Sequence, residues 1–226
     1  MNDNQLRILI DQLLDQDARN INRERKRRAL VETCQFVDEY MTLVDNSFGD
    51  RFSLLEHALK QVTVQNGLWM EFGVYTGGTI RFIAERTENV VFGFDSFDGN
   101  PADWRGEFRK GAFALKEIPT GLPQNVCIVR GMFQDALAVF CKSHPEQAAF
   151  IHIDCDLYES TKTVFDALRE RIVPGTVLVF DEFFNYPGWK KHEFKAFMEF
   201  VEAGNRQYKY LGYVYKHSQV AVQMLG

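Results

Sequence analysis

The sequence predicts an α/β fold in which helices precede a mostly parallel sheet that ends in an antiparallel hairpin. From Gly67 onward, short apolar runs alternate with segments of helical periodicity, which is typical of a parallel sheet with helices on both faces. The runs are continuous, as expected of strands buried on both sides. The last two runs are joined by a short polar turn and therefore predict antiparallel strands. The runs that predict strands are LWMEFG, VVFGFD, NVCIVRG, AFIHID, TVLVFDE, YKYLGYVYK and QVAVQML.

The first third of the chain has a helical pattern instead. Turn-forming residues cluster near Asp15–Asn22 and in Asp45–Asp50, and these clusters predict breaks between helices. We therefore expect a small helical addition before one main domain. The apolar residues that recur at helical spacing include Leu30, Cys34, Val37 and Met41, and then Leu54, Leu55, Ala58 and Leu59.

Composition and charge exclude several classes of protein. The chain has 226 residues, 46% of them hydrophobic, which is enough for one domain with a sizeable core. Its net charge of −5 argues against a protein that coats nucleic acid or an anionic membrane. The basic run RERKRR at residues 23–28 predicts a solvated helix face or an oligomer contact rather than a nucleic-acid site. Signal-peptide features, CxxC pairs and apolar runs of about 20 residues are all absent from the sequence, which favours a cytoplasmic protein with no membrane span.

A glycine-rich turn follows the first predicted strand, in the motif EFGVYTGGT. Its glycines permit a tight turn and a close approach of the backbone to a ligand, although they could simply serve packing. The spacing is GxxxGG, which does not fit the GxGxxG dinucleotide fingerprint. The residues of this turn that we expect at a cofactor are Glu71, Gly73, Thr76, Gly77, Gly78 and Thr79.

The second predicted strand ends on Asp95, at a position where an acid can accept hydrogen bonds from both hydroxyls of an adenosine ribose. The alternative is an aspartate that caps the next turn through its own backbone. The glycine turn and this acid together favour a nucleoside ligand. Glu71 suits a cationic ligand better than a pyrophosphate, and S-adenosylmethionine carries an α-amino group and a sulfonium. We expect Ser96, Gly131 and Phe133 beside the same cofactor.

Four acids follow two later strands. Asp154 and Asp156 end the run AFIHIDCD, and Asp181 and Glu182 end TVLVFDE. If these strands are neighbours, the carboxylates converge and repel one another, and a divalent cation would remove the conflict. Oxygen ligands favour Mg²⁺, Ca²⁺ or Mn²⁺ over Zn²⁺. The alternative is capping of the following helices together with surface charge. His152 is expected either as a base or support for this cluster, or as a satisfied core histidine.

Two further segments are candidates for covering the site. The loop Ser96–Pro123 is too long for a plain connector, so we expect it to cover a cofactor and exclude water. The aromatic residues after the fifth strand form either an apolar acceptor wall or an ordinary core patch. These residues are Phe183, Phe184, Tyr186 and Trp189.

At these motifs the sequence resembles the macrocin O-methyltransferase (TylF-like) group of class I S-adenosylmethionine-dependent methyltransferases, which act on hydroxyls of sugars and aromatic natural products. The matching motifs are EFGVYTGGT, FDSFDGNP, RGMFQDAL, IHIDCDLYEST and VFDEFFNYPGWKKHEF. The resemblance implies a Rossmann-like fold with a seven-stranded sheet. It also implies a helical segment at 1–62 for the acceptor pocket and oligomer contacts, and an S-adenosylmethionine-binding domain at 63–226.

Residue roles carried over from the family concern the acidic cluster. Asp154, Asp181 and Glu182 would bind Mg²⁺, and Asp156 would act as the general base toward a small-molecule hydroxyl acceptor. Cys155 stands where the family usually has glycine, and Glu182 where it usually has aspartate. The competing interpretations are a non-catalytic cofactor-binding protein on a methyltransferase scaffold, an NAD-dependent oxidoreductase and a metal-dependent hydrolase.

Overall fold

The protein is described from a computed structural model, which covers residues 2–42, 44–106 and 108–226. Its helices are α1 Asp3–Ala18, α2 Ile21–Tyr40, α3 Arg51–Leu59, α4 Gly78–Ala84, α5 Phe133–Ser143, α6 Tyr158–Leu168 and α7 Glu193–Ala203, with a 3-10 turn at Trp189–Lys191. Its strands are β1 Ser47–Phe48, β2 Leu68–Phe72, β3 Val91–Asp95, β4 Val126–Arg130, β5 Ala148–Ile153, β6 Ile172–Phe180, β7 Gln207–Val214 and β8 Val220–Leu225.

The described strands form one sheet in the order β1-β7-β8-β6-β5-β2-β3-β4. Strand β8 runs antiparallel to β6 and β7, and the other pairs are parallel. The predicted α/β fold with its antiparallel C-terminal hairpin is therefore confirmed. The chain leaves β2 toward β3 and β4 and then returns to place β5 on the other side of β2. This reversal of strand order is where open α/β sheets bind ligands.

The seven predicted strands are present, and an eighth, β1, lies in the segment that the sequence predicts as a turn. Strand β1 pairs Ser47 with Tyr213 and Phe48 with Val214 along β7. Two residues are too few to show an alternating pattern, so the periodicity of the sequence carried no signal for this strand.

Helices cover both faces of the sheet, as the strand–helix alternation predicts. On one face, α6 and α7 bury Phe165 and Phe197 against Phe180 of β6. On the other face, α3 and α4 bury residues such as Leu54 and Ile80. Helix α3 lies N-terminal to residue 62 and packs into this second core, while the domain boundary at 62 stays a prediction.

Helices α1 and α2 leave many apolar side chains exposed, among them Leu6, Ile8 and Leu9 of α1. The basic run at 23–28 is also exposed on α2, as a solvated helix face would be. A homo-oligomer built on these helices stays a prediction. All four cysteines are free: Cys34 and Cys127 are exposed, Cys141 is half-buried and Cys155 is buried. No helix in the described part of the chain is long and apolar enough to cross a bilayer.

Candidate active site

A cavity of about 340 Å³ opens at the carboxyl ends of the parallel strands, beside the point where the strand order reverses. It is lined by residues that follow β2, β3, β4 and β5 and by part of the long loop. The predicted site residues among them are Gly73, Asp95, Ser96, Gly131, Phe133, Asp154 and Asp156. The loop and helix residues that complete the lining include Asn100, Pro101, Phe113 and Glu159.

Gly73 lets two strand ends approach each other at the cavity. Its φ is +94°, and a Cβ at this position would overlap the backbone carbonyl oxygen of Asp154. The backbone N–H of Asp154 in turn donates to the carbonyl of Phe72 at 2.8 Å. A side chain at residue 73 would therefore push the ends of β2 and β5 apart, which explains why the motif has glycine there.

Asp95 organises the turn after β2 as well as lining the cavity. Its Oδ2 accepts from the backbone N–H groups of Val74 (2.8 Å) and Tyr75 (2.9 Å), and its Oδ1 accepts from Phe97 (2.7 Å). A carboxylate offers about four acceptor positions, so three of them are occupied by backbone groups. One position is left for a ligand, whereas the sequence interpretation had Asp95 accepting from two ribose hydroxyls.

Glu71 lies beneath the cavity instead of in its wall. It is fully buried, with Oε1 accepting from the Thr79 hydroxyl at 3.1 Å and Oε2 lying 3.0 Å from Nδ1 of His152. Burial raises the pKa of the Glu71 carboxyl, and the bond to His152 partly offsets this. Both oxygens are directed at protein groups, so the structure does not place Glu71 beside a cofactor ammonium.

Asp154 and Asp181 lie side by side because β5 and β6 are parallel neighbours in register. Ile153 pairs with Phe180, and each aspartate is the next residue. Ligand atoms of His152, Asp154 and Asp181 all lie within 4.8 Å of one another. Burial, and then the neighbouring carboxylates of Asp181 and Glu71, raise the pKa of Asp154 well above its usual range. The sequence predicted that four acids converge at this edge, and Asp154 and Asp181 are the two that share one group with His152.

Asp156 points into the cavity from a strained backbone. Its φ is +62°, unusual for a residue with a side chain, and it is 8% exposed. Nδ2 of Asn100 donates to its Oδ2 at 2.9 Å. Burial raises the pKa of Asp156 to about 6, against the lowering effect of the Asn100 bond. The carboxyl can therefore both hold and release a proton near neutral pH.

Glu182 is paired with an arginine of the long loop. Nη2 of Arg105 lies 3.1 and 3.3 Å from its two carboxylate oxygens, and the guanidinium sits 4.0 Å from the Trp104 ring centre and 4.2 Å from that of Tyr186. Burial raises the pKa of Glu182 to about 8, with Arg105 acting in the opposite direction. Glu182 is not a member of the group formed by His152, Asp154 and Asp181.

The long loop is folded onto the site by its own hydrogen bonds. The Asn100 N–H donates to the Ala112 carbonyl and the Gly111 N–H to the Asn100 carbonyl, both at 2.8 Å. Asn100 and Arg105 then attach this folded segment to Asp156 and Glu182. Sequence reasoning missed both attachments, because neither residue belongs to a periodic pattern or to a strand end.

The remaining predicted residues lie outside the cavity wall. Thr76 and Gly78 are exposed, and Gly77 is buried in the turn. The aromatic residues after β6 are core residues, which decides between the two interpretations of that patch. Those residues are Phe183 (0% exposed), Phe184 (1%), Tyr186 (5%) and Trp189 (1%).

Residues 70–183 match the family model described as a methyltransferase domain. This match covers half of the chain and includes β2 to β6 with the cavity between them. The chain therefore belongs to the methyltransferase-domain family, and it is a methyltransferase by fold and family. A comparison with curated proteins gave no match.

Solved structures show the same fold at low sequence identity. The calicheamicin methyltransferase CalS11 is 21% identical, with 88% of this chain and 91% of that one covered and a TM-score of 0.61. The O-methyltransferase NovP is 20% identical, with 78% and 80% covered and a TM-score of 0.56. An apo structure of CalS11, described as a TDP-rhamnose 3'-O-methyltransferase, aligns over 76% and 75% at 21% identity, with a TM-score of 0.52.

Proposed function

We propose that this chain is an S-adenosylmethionine-dependent O-methyltransferase that acts on a hydroxyl of a sugar or another small natural product. The observation that carries the proposal is the cavity at the strand ends, which has the acid Asp95 on one side and the acid Asp156 on the other. CalS11 is described as a TDP-rhamnose 3'-O-methyltransferase and NovP as an O-methyltransferase, and their fold is shared. The substrate class is taken from that likeness and is part of the proposal.

The cavity has a size that suits an adenosyl cofactor. Its volume of about 340 Å³ lies within the usual range for small-molecule sites. Gly73 lets the ends of β2 and β5 come together at the cavity, and Asp95 keeps one acceptor position for a ribose hydroxyl. When bound, S-adenosylmethionine supplies an electrophilic methyl group on its sulfonium.

Asp156 is the group that we assign to proton transfer. Its carboxylate lines the cavity, and its pKa of about 6 lets it accept the acceptor's hydroxyl proton at neutral pH. Asn100 fixes the carboxylate by donating to Oδ2, which leaves Oδ1 for the substrate proton. The folded loop around Asn100 covers this side of the cavity and limits the entry of water.

A divalent cation would fit between the carboxylates of Asp154 and Asp181. Asp154 and Asp181 lie together, and Oε1 of the buried Gln219 beside Asp181 has no hydrogen-bond partner among the described residues. Asp154 and Asp181 would hold the ion, and Glu182, proposed with them from the sequence, would reach it only by leaving Arg105. When bound, such a cation stabilises the negative charge that develops on the acceptor oxygen.

Calorimetry on the full chain with S-adenosylmethionine, S-adenosylhomocysteine and NAD tests the cofactor. We expect the two adenosyl ligands to bind and NAD not to bind, and a preference for NAD would overturn the proposal. A mass-spectrometric screen for a 14 Da gain over nucleotide sugars, catechols and glycosylated natural products, with and without Mg²⁺, then tests the acceptor class. Methylation of a nitrogen or carbon centre alone would overturn the O-methyltransferase assignment.

A further inference from the structure

His152 is buried directly beneath the two strand-end aspartates. It lies on β5 two residues before Asp154, so both side chains are on the same face of the strand. The side chain is 1% exposed, and its Nδ1 lies 3.0 Å from the fully buried carboxylate of Glu71. Since Nδ1 is engaged by Glu71, Nε2 is the ring nitrogen left for a ligand.

We propose that the chain holds a divalent cation through Nε2 of His152 together with carboxylate oxygens of Asp154 and Asp181, and that this nitrogen makes the site prefer Mn²⁺ to Mg²⁺. The ligand atoms of these three residues lie within 4.8 Å of one another, close enough to share one ion. The inference refines the metal component of the proposed function, and it concerns ion binding rather than methyl transfer.

The Glu71 carboxylate contacts His152 in the way that a metal-binding histidine usually requires. A histidine that ligates through one ring nitrogen generally donates the other N–H to a carboxylate or carbonyl, which fixes the orientation of the ring. The Glu71 carboxylate occupies that position at Nδ1, and the Thr79 hydroxyl holds the carboxylate from its other oxygen at 3.1 Å. The chain of contacts from Thr79 through Glu71 to His152 is buried throughout.

Glu182, the third acid proposed from the sequence, is neutralised without a metal. Its two oxygens contact Arg105, whose guanidinium is held between the rings of Trp104 and Tyr186. A metal that took Glu182 as a ligand would leave this arginine without its counter-charge in a half-buried position. His152 requires no such rearrangement.

Asp154 lacks a cationic partner among the described residues, whereas the Arg51 guanidinium lies 3.6 Å from Oδ1 of Asp181. Carboxylate oxygens of Asp154 and Asp181 lie within 4.8 Å of each other, and no described residue forms an ion pair with Asp154. Gln219 is 3% exposed and donates from Nε2 to Asp181 at 2.9 Å, while its Oε1 has no hydrogen-bond partner in the described chain. This buried oxygen belongs to the same amide that contacts Asp181, and it is the kind of atom that an ion or an ion-bound water satisfies.

The donor set explains the expected choice of ion. Mg²⁺ is strongly selective for oxygen ligands and keeps much of its water, whereas imidazole suits first-row transition ions. One nitrogen and two carboxylates are therefore a better match to Mn²⁺. We expect Mg²⁺ to displace bound Mn²⁺ only when present at an excess of about tenfold or more.

Electron paramagnetic resonance on the metal-stripped full chain tests this inference without any activity measurement. Bound Mn²⁺ should show direct coupling to an imidazole ¹⁴N, and labelling the five histidines with ¹⁵N should change that coupling. Bound Mn²⁺ with no directly coupled nitrogen, or no binding at millimolar Mn²⁺, would overturn it. Because the wild-type protein is used, the result does not depend on whether a variant folds.

Two variants and one control variant locate the nitrogen and its support. His152→Gln should abolish the nitrogen coupling, and His144→Gln, which changes the histidine directly after α5, should retain it. Glu71→Gln should keep the coupling but weaken Mn²⁺ binding by roughly 10- to 100-fold, as loss of an orienting carboxylate does elsewhere. A coupling that survives His152→Gln would refute the assignment. Binding of S-adenosylhomocysteine without metal would show that the proposed function stands independently.

Discussion

Replacing Gly73 by alanine tests whether the close approach of β2 and β5 is required for the site. The residue has a φ of +94°, and the new Cβ would overlap the Asp154 carbonyl oxygen, which is backbone and cannot rotate away. The left-handed conformation alone costs about 1–2 kcal/mol for a residue with a Cβ. Forcing atoms into a packed region costs typically about 1–3 kcal/mol more. We therefore expect Gly73→Ala to lower the free energy of unfolding by about 2–5 kcal/mol.

Gly188→Ala is the matched control for this prediction. Gly188 has a φ of +89°, and a Cβ there would meet nothing within 4 Å. It should therefore show the conformational cost alone, about 1–2 kcal/mol. The difference between the two variants isolates the collision with Asp154.

Urea denaturation followed by circular dichroism gives the free energy of unfolding of each variant. Calorimetry with S-adenosylhomocysteine on the folded variants measures whether the cavity still binds this ligand. In thermal unfolding, each kcal/mol corresponds to about 2–4 °C for a chain of this size. We expect weaker ligand binding for Gly73→Ala and unchanged binding for Gly188→Ala. Equal losses of stability in the two variants would mean that the strand ends separate freely and would refute the reasoning.

Three other substitutions probe the site and its support. Asp156→Asn should lower kcat of the proposed reaction by about 100-fold or more while the variant still binds S-adenosylhomocysteine, and retained turnover would exclude the carboxylate as the base. Arg105→Met should accelerate tryptic cleavage after Arg109 and Lys110 of the long loop, since it removes the ion pair that ties this loop to Glu182. An unchanged cleavage rate at these two sites would mean that the pair does not hold the loop. Thr79→Val should lower the free energy of unfolding by about 1–2 kcal/mol, because the hydroxyl bonded to buried Glu71 is lost. Thr163→Val, whose hydroxyl bonds a backbone carbonyl at an exposed position, should change it by less than about 0.5 kcal/mol.

The proximity of Asp154 and Asp181 could be predicted because each residue directly follows one of two neighbouring parallel strands. Residues that follow neighbouring parallel strands arrive at one edge of the sheet, and the apolar runs before both aspartates mark those strands clearly. By the same reasoning Gly73 and Asp95 belong at the strand ends, and both line the cavity, while their contact with a cofactor stays a prediction. A prediction of this kind needs the strand order but no side-chain detail.

The partners of these residues could not be predicted, because they depend on contacts between distant segments. Glu71 faces His152 only through the register between β2 and β5, which are not consecutive strands. Arg105 reaches Glu182 through a loop held by irregular backbone bonds, for which the sequence has no periodic signal. Asp95 was predicted either to bind a ribose or to cap the next turn, and the sequence could not show that the backbone groups of Val74 and Tyr75 would also occupy its oxygens.

Strand β1 has a practical consequence for making shortened forms of the protein. It covers the outer side of β7, where the N–H groups of Tyr213 and Tyr215 donate to the carbonyls of Asn46 and Phe48. A form beginning at residue 63 would leave these backbone groups unpaired along a tyrosine-rich margin, which invites self-association and precipitation. Shortened forms intended for crystallisation should therefore begin ahead of Asn46, so that this margin remains closed.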